Sequence, residues 1–275
     1  MSNINDFIID CNKLKKYMGK DENVVIPDGV TKIGESAFYE CENLKNIIIP
    51  ESVQEIGESA FFECENLKEI VIPDSVQVIG DNAFCGCRNL ESVVLPNSIQ
   101  EICESIFYDC QSLKNIVIPN SVQEIRESAF CECENLKDIV IPDSVQVIGD
   151  DAFRGCRNLE SVVLPNSIQE ICKSAFYNCE NLKNIVIPDS VQVIGDDAFS
   201  GCSNLESVVI PNGTHTIGMA AFAFCYKLKT IVIPDTVRTI KDIVFLECRN
   251  PIILGNKGSC AENYAKNTCL EFQQL

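Results

Sequence analysis

Residues 44–67 read LKNIIIPESVQEIGESAFFECENL and hold one complete period of the chain. The tract Leu44 to Pro50 is short, rich in β-branched residues and closed by a proline, which together predict a strand. Pro50-Glu51-Ser52 are turn formers. Val53 and Ile56 make a second short apolar pair ahead of Gly57, predicting a second, shorter extended piece. Glu58-Ser59-Ala60-Phe61-Phe62 has room for a single helical or 3₁₀ turn, no more.

Moving outward, the same 23 residues return ten times. Prolines stand at Pro27, Pro50, Pro73, Pro96, Pro119, Pro142, Pro165, Pro188, Pro211 and Pro234, each 23 residues from the last. Counting from the proline, Ile fills the seventh position, Phe the twelfth and Cys the fifteenth in all ten units. Leu fills the eighteenth in nine, Pro251 standing there in the tenth. A fixed period of this length is the mark of a stacked repeat. No unit can close a core alone, so stability must come from neighbours burying the same Ile, Phe, Cys and Leu against one another. Residues 143–188 nearly repeat 74–119, which points to duplication of a three-unit block.

Three segments follow. Residues 1–26 read as an N-terminal cap, with a strand at Phe7-Ile8-Ile9-Asp10-Cys11, a polar turn at Gly19 to Asn23, and Val24-Val25-Ile26. Residues 27–256 hold the ten repeats, and 257–275 a C-terminal cap with a short helix near Gly258 to Asn267 followed by Leu270-Glu271-Phe272. The expectation is one continuous solenoid, its ends shielded by the caps.

The pattern LxxIxIP…VxxIGxxAFxxCxxL, seen at Leu44 to Leu67, resembles the BspA-like leucine-rich-repeat family over about residues 24–254. The resemblance implies an α/β repeat: a right-handed solenoid with a concave parallel β-sheet, short helical or 3₁₀ turns, and second short strands on the other side. It also implies a cell-surface or secreted protein of a bacterium or protozoan that binds host proteins or other microbes. It brings no catalytic residues. The segment Met1 to Asp6 has no basic region followed by a long apolar stretch, so the sequence itself gives no secretory signal and leans toward the cytoplasm.

Composition narrows the partners. The chain has 275 residues and a formal net charge of −18. A surface so acidic repels phosphate backbones and anionic head groups, which argues against nucleic acid and membrane surfaces. No apolar run approaches the ~18–20 residues of a membrane span. The seventeen cysteines are mostly a repeat position, and in-register side chains point in parallel, which suits disulfide geometry poorly. A small buried residue filling one slot per coil is the expected role. With one histidine, His215, and no paired CxxC, neither a metal site nor a cofactor is expected. His215 replaces the glutamine of other units (Gln54, Gln77, Gln100, Gln123, Gln146, Gln169, Gln192), so it reads as a surface variant rather than a catalytic base. Carboxylates at Glu35, Glu40, Glu58 and Glu63 read as a solvated face. No enzyme is expected.

The candidate binding surface is the strand face. Side chains alternate along a strand, so Leu44, Ile47 and Ile49 point inward and Ile48 outward. The outward column is Ile48, Val71, Val94, Val117, Val140, Val163, Val186, Val209 and Val232. Beside it runs a polar column from Asn46 to Thr230, rimmed by lysines that include Lys114 and Lys137, with Glu91, Glu160 and Glu206 interspersed. An exposed apolar stripe of this kind predicts a protein ligand of unknown identity. Two function classes are in play: an adhesion or recognition module, and an intracellular scaffold that self-associates through the same stripe.

Overall fold

A computed structural model describes residues 3–275. The chain forms two compact units, one ending at Leu136 and the other running from Lys137 to Leu275. Each unit is a pile of 23-residue coils, and most coils give one longer and one shorter strand to separate, mainly parallel sheets.

In the first unit the longer strands are Asn23–Val25, Asn46–Ile48, Glu69–Val71, Ser92–Val94 and Asn115–Ile116. They pair without stagger, Val25 opposite Ile48 and Val71 opposite Val94. The shorter strands Lys32–Ile33, Glu55–Ile56 and Val78–Ile79 form the second sheet, with Ile33, Ile56 and Ile79 in line. In the second unit Asp138–Val140 pairs with Ser161–Val163, and Thr230–Val232 lies between Ser207–Val209 and Ile252–Gly255 and pairs with both. Its short strands include Glu170–Ile171, Val193–Ile194, Thr216–Ile217 and Thr239–Ile240. Most repeat prolines follow a long strand and accept a bond from the residue three places on, as Val53 N–H to Pro50 O at 3.0 Å. A two-residue strand therefore follows a tight turn.

The segment between short strand and cysteine is where the helical turn was expected. Isolated i→i+3 bonds of the 3₁₀ kind do form there: Ala37 N–H to Gly34 O, Tyr39 N–H to Ser36 O and Cys41 N–H to Phe38 O, at 3.1–3.2 Å. They alternate with bonds to the next coil, Ser36 N–H to Glu58 O, Phe38 N–H to Ala60 O and Glu40 N–H to Phe62 O, at 2.7–3.0 Å. The cause is local. Ser36 and Glu40 both sit at φ 53°, and a left-handed residue every fourth place cannot continue a right-handed helix. The result is a third ladder between coils.

Gly57 belongs to this packing. A Cβ there would lie 2.7 Å from the Glu35 nitrogen, so glycine lets coils approach closely. Cys103, Arg126, Cys172 and Lys241 occupy the same place in other coils. Two of those coils show the widest ring spacings, 5.7 Å for Phe84–Phe107 and 6.1 Å for Phe222–Phe245.

The phenylalanines form the spine of each core. Phe38, Phe61, Phe84, Phe107 and Phe130 stack in the first unit, and Phe153, Phe176, Phe199, Phe222 and Phe245 in the second, with near-parallel rings 5.0–6.1 Å apart. Both stacks are finished by other aromatics. Tyr17 lies 5.3 Å from Phe38 with Phe7 behind it, and Tyr264 meets Phe245 edge-on at 5.8 Å.

The terminal segments are altered coils. Phe7–Asp10 and Lys13–Tyr17 form an antiparallel hairpin, and Leu14 then pairs in parallel with Ile33, taking the isoleucine position. At the other end, helix Cys260–Thr268 starts on the Ser259 side chain, which accepts from Glu262 N–H, and buries Ala261 and Ala265. Phe272–Gln274 then adds a last strand beside Ile252–Gly255.

Candidate functional site

The face built by the outward residues of the long strands carries the candidate site. Alternation works as expected: Ile47, Ile70, Val93, Ile139 and Val162 are buried, while the next residue of each strand is exposed. In the first unit the exposed column is Ile48, Val71, Val94 and Val117, preceded by Val25. In the second it is Val140, Val163, Val186 and Val209. Relative exposure from Ile48 to Val209 runs from 54% to 81%. Val232 is only half-exposed, because the strand Ile252–Gly255 of the terminal segment brings Leu254 alongside it.

Two details escaped the sequence reading. Val25 extends the column into the N-terminal segment, in register with Ile48. The signal was present, since Asn23-Val24-Val25-Ile26 stands one period before Asn46-Ile47-Ile48-Ile49. Val117 and Val186, at 81% the most exposed, lie just beyond strand pairing: Asn115–Ile116 stops short, and Asn184 makes only an isolated bridge to Ser207. Both follow a Ser-Val-Val-Leu-Pro coil; nothing in the structure explains the lapse.

The lysine rim is a ladder of ion pairs rather than a row of free charges. Lys114 Nζ meets Glu91 at 2.7 Å, Lys45 meets Glu22 at 2.8 Å and Lys229 meets Glu206 at 2.7 Å, each across one coil. Lys114 holds the Glu91 carboxyl below its ordinary range by a direct hydrogen bond. Such exposed pairs contribute little to stability. They neutralise the rim locally and leave the apolar column as its distinguishing chemistry. Lys137, the other rim lysine singled out, is exposed at the start of the second unit.

The cysteine column lies inside. All seventeen cysteines are free thiols. Cys64 Sγ donates to Phe38 O at 3.1 Å, Cys87 to Phe61 O, Cys110 to Phe84 O and Cys133 to Phe107 O at 3.2 Å; Cys202, Cys225 and Cys248 repeat this in the second unit. Most of these phenylalanine carbonyls also accept the backbone N–H of their own coil's cysteine, as Cys64 N–H to Phe61 O. Cysteine is thus small enough for the slot and supplies a second donor to a buried carbonyl that needs one. Burial pushes these thiols up: Cys41 and Cys248 to about 11, and Cys64, Cys87, Cys110 and Cys225 well above the ordinary value. The thiolate is the nucleophile, so the column is inert. We expect a thiol reagent to label the exposed Cys11 and Cys269 first and the column only on unfolding. Fast labelling of most thiols in the native protein, counted by mass spectrometry, would overturn this placement.

Other side chains take structural roles. His215 is exposed in the glutamine ladder, its N–H bonded to Gln192 O at 2.8 Å and its carbonyl to Arg238 N–H at 2.9 Å. Glu35, Glu40 and Glu58 are exposed and Glu63 half-buried. Some acidic residues of the turn segments bond backbone across coils, a role hidden in the sequence. Asp81 accepts Glu104 N–H at 3.1 Å, and Asp196 accepts Met219 N–H at 2.7 Å and Lys241 Nζ at 2.9 Å. Among the described residues no cluster of His, Cys, Asp and Glu could hold a metal ion, and no helix is long and apolar enough to cross a membrane.

This arrangement of coils has relatives. The family model of the BspA type leucine rich repeat region matches residues 12–137 and 123–251. The chain belongs to that family. It is 31% identical to the leucine-rich repeat protein of T. pallidum, with a TM-score of 0.55 over 74% of this chain and 90% of that one. A leucine-rich repeat protein from Bacteroides ovatus is 25% identical, with a TM-score of 0.50 over 100% of this chain and 97% of that one. One from Eubacterium ventriosum shares the fold at 20% identity, with a TM-score of 0.55 over 86% and 88%. No curated protein matches the chain. The family and its solved relatives are those of protein-interaction repeats, typically non-catalytic.

Proposed function

We propose that this chain is a non-catalytic recognition module that takes its protein ligand on the exposed face of the long strands and serves in adhesion or in recognition between host and microbe. The observation that carries the proposal is the outward valine and isoleucine column of each unit, exposed from Val25 to Val117 in the first and from Val140 to Val209 in the second. Apolar residues are needed inside a parallel sheet but not on its wet face, where threonine would meet the same β-propensity. A large exposed apolar surface is a mark of an interaction site. Polar residues at Asn46, Glu69, Ser92, Asp138 and Ser161 flank it and supply hydrogen-bonding groups for register. The column holds no aromatic residue, so its binding energy is spread over many coils rather than concentrated in one anchor.

The test is capture of a protein by the wild-type chain and its loss in variants with charges in the column. Adhesion to host cells or to other microbes, scored in parallel with the same variants, tests the narrower role. Equal capture and equal adhesion by wild type and variants would remove the strand face from consideration.

A further inference from the structure

The turn segments reveal a second surface, independent of the strand face. In the first two coils they read GESAFYECEN (residues 34–43) and GESAFFECEN (57–66); in the ninth and tenth, GMAAFAFCYK (218–227) and KDIVFLECRN (241–250). Acidic and serine positions have become Met219, Phe224, Tyr226 and Ile243, Leu246 stands where the first coils have Tyr39 and Phe62, and an asparagine has become Lys227. Met219, Phe224, Tyr226, Ile243 and Leu246 are all exposed. Phe224 and Tyr226 meet edge-on with centroids 6.4 Å apart, and Phe224 N–H bonds to Leu246 O at 2.7 Å, so the two coils present one patch.

The backbone makes the apolar residues harder to explain as drift. Phe224 sits at φ 59° and Ile243 at φ 51°. At the Ile243 place other coils hold Ser36, Ser59, Asn82 and Asp151, and at the Phe224 place Gly86, Gly155 and Gly201 occur together with Asp109, Asn178 and the glutamates Glu40, Glu63 and Glu132. A β-branched residue there is strained, and Ile243, 48% exposed, gains little burial in return.

Charge divides the same way. Residues 27–210 hold 31 acidic and 11 basic side chains; residues 211–254 hold 3 acidic and 5 basic. Lys227, Lys229 and Arg249 line a groove with Tyr226. The first two coils offer the complement. Tyr39 and Phe62 stack at 5.1 Å as a partly exposed aromatic pair among Glu35, Glu40, Glu42 and Glu58, and neither turn segment contains a basic residue.

We propose that the turn face of the last two repeats docks on the acidic turn face of the first two repeats of a second copy of this chain. Apolar side chains at the centre and opposite charges around them fit such a contact. The two faces differ, so the contact is heterologous and adds copies head to tail.

Sedimentation equilibrium across a concentration series at moderate salt tests this, with mass expected to rise with concentration as an open series. Phe224→Asn with Ile243→Asn should weaken association roughly tenfold or more while raising the melting temperature, because asparagine accepts the left-handed backbone. Glu40→Lys with Glu42→Lys should weaken it from the other side. Each double variant should be monomeric alone, and the two mixed should form a one-to-one dimer through the faces left intact. Charged variants of the strand column should associate as wild type does, which separates this proposal from the ligand site. A wild type that stays monomeric throughout, or association unchanged in both double variants, overturns it.

Discussion

Phe84→Ala is expected to lower the stability of the folded chain by about 3–5 kcal/mol, the usual cost of removing a buried phenyl ring. Phe84 is fully buried and lies between two rings, 5.2 Å from Phe61 and 5.7 Å from Phe107. The stack cannot close over the gap. Around Phe84 the coils are tied by the long-strand ladder of Glu69–Val71, Ser92–Val94 and Asn115–Ile116 and by the turn ladder, including Phe84 N–H to Ile106 O and Phe61 N–H to Ala83 O. A cavity held open by backbone bonds on both sides keeps its full cost. Phe245→Ala should cost less. Its ring is 7% exposed, its stacking partner Phe222 is 6.1 Å away, and Tyr264 covers the other side only by its edge. Differential scanning calorimetry of both variants checks this, and equal destabilisation would count against the stacked core. A repeat pile can also lose its single transition, so a split melting profile for Phe84→Ala would itself report that one coil has been uncoupled.

Much of this core was legible because the period forces it. A Phe recurring every 23 residues must meet its copies if the chain stacks at all, and so must the Ile, Leu and Cys of each coil. The strand face followed from alternation, since one residue's shift moves a side chain from core to solvent. What stayed hidden depends on backbone detail smaller than the period. Nothing in Glu58-Ser59-Ala60-Phe61-Phe62 announces that Ser59 adopts φ 52°, because serine serves equally well at a helix start. The bond from Cys64 Sγ to Phe38 O needs the neighbouring coil's carbonyl in place before cysteine's preference makes sense. The pairing within the lysine rim is hidden in the sequence because Glu91 and Lys114 are 23 residues apart. Only the parallel register brings them to 2.7 Å.

Charges in the outward column are expected to abolish ligand binding and leave the fold intact. One variant for each unit keeps the argument local: Val71→Lys, Val94→Glu and Val117→Lys in the first, and Val140→Lys, Val163→Glu and Val186→Lys in the second. Alternating signs let charges on neighbouring coils attract, as Lys114 and Glu91 already do, and avoid a repelling column. All six side chains are exposed in the free protein, so a charge there stays hydrated and circular dichroism and melting should match wild type. On binding, the same charge must lose its water against an apolar ligand surface, which is costly without a partner. Spread over three coils, that penalty exceeds what a moderate interface can offset. The control moves each charge by one residue. Ile70 is 2% exposed, and Ile70→Lys should unfold its coil and the coils on either side where Val71→Lys does not. If the column variants fold as wild type and still bind every ligand, the strand face is not the site. If they unfold, these side chains lie in the core of the folded chain and not on its wet face.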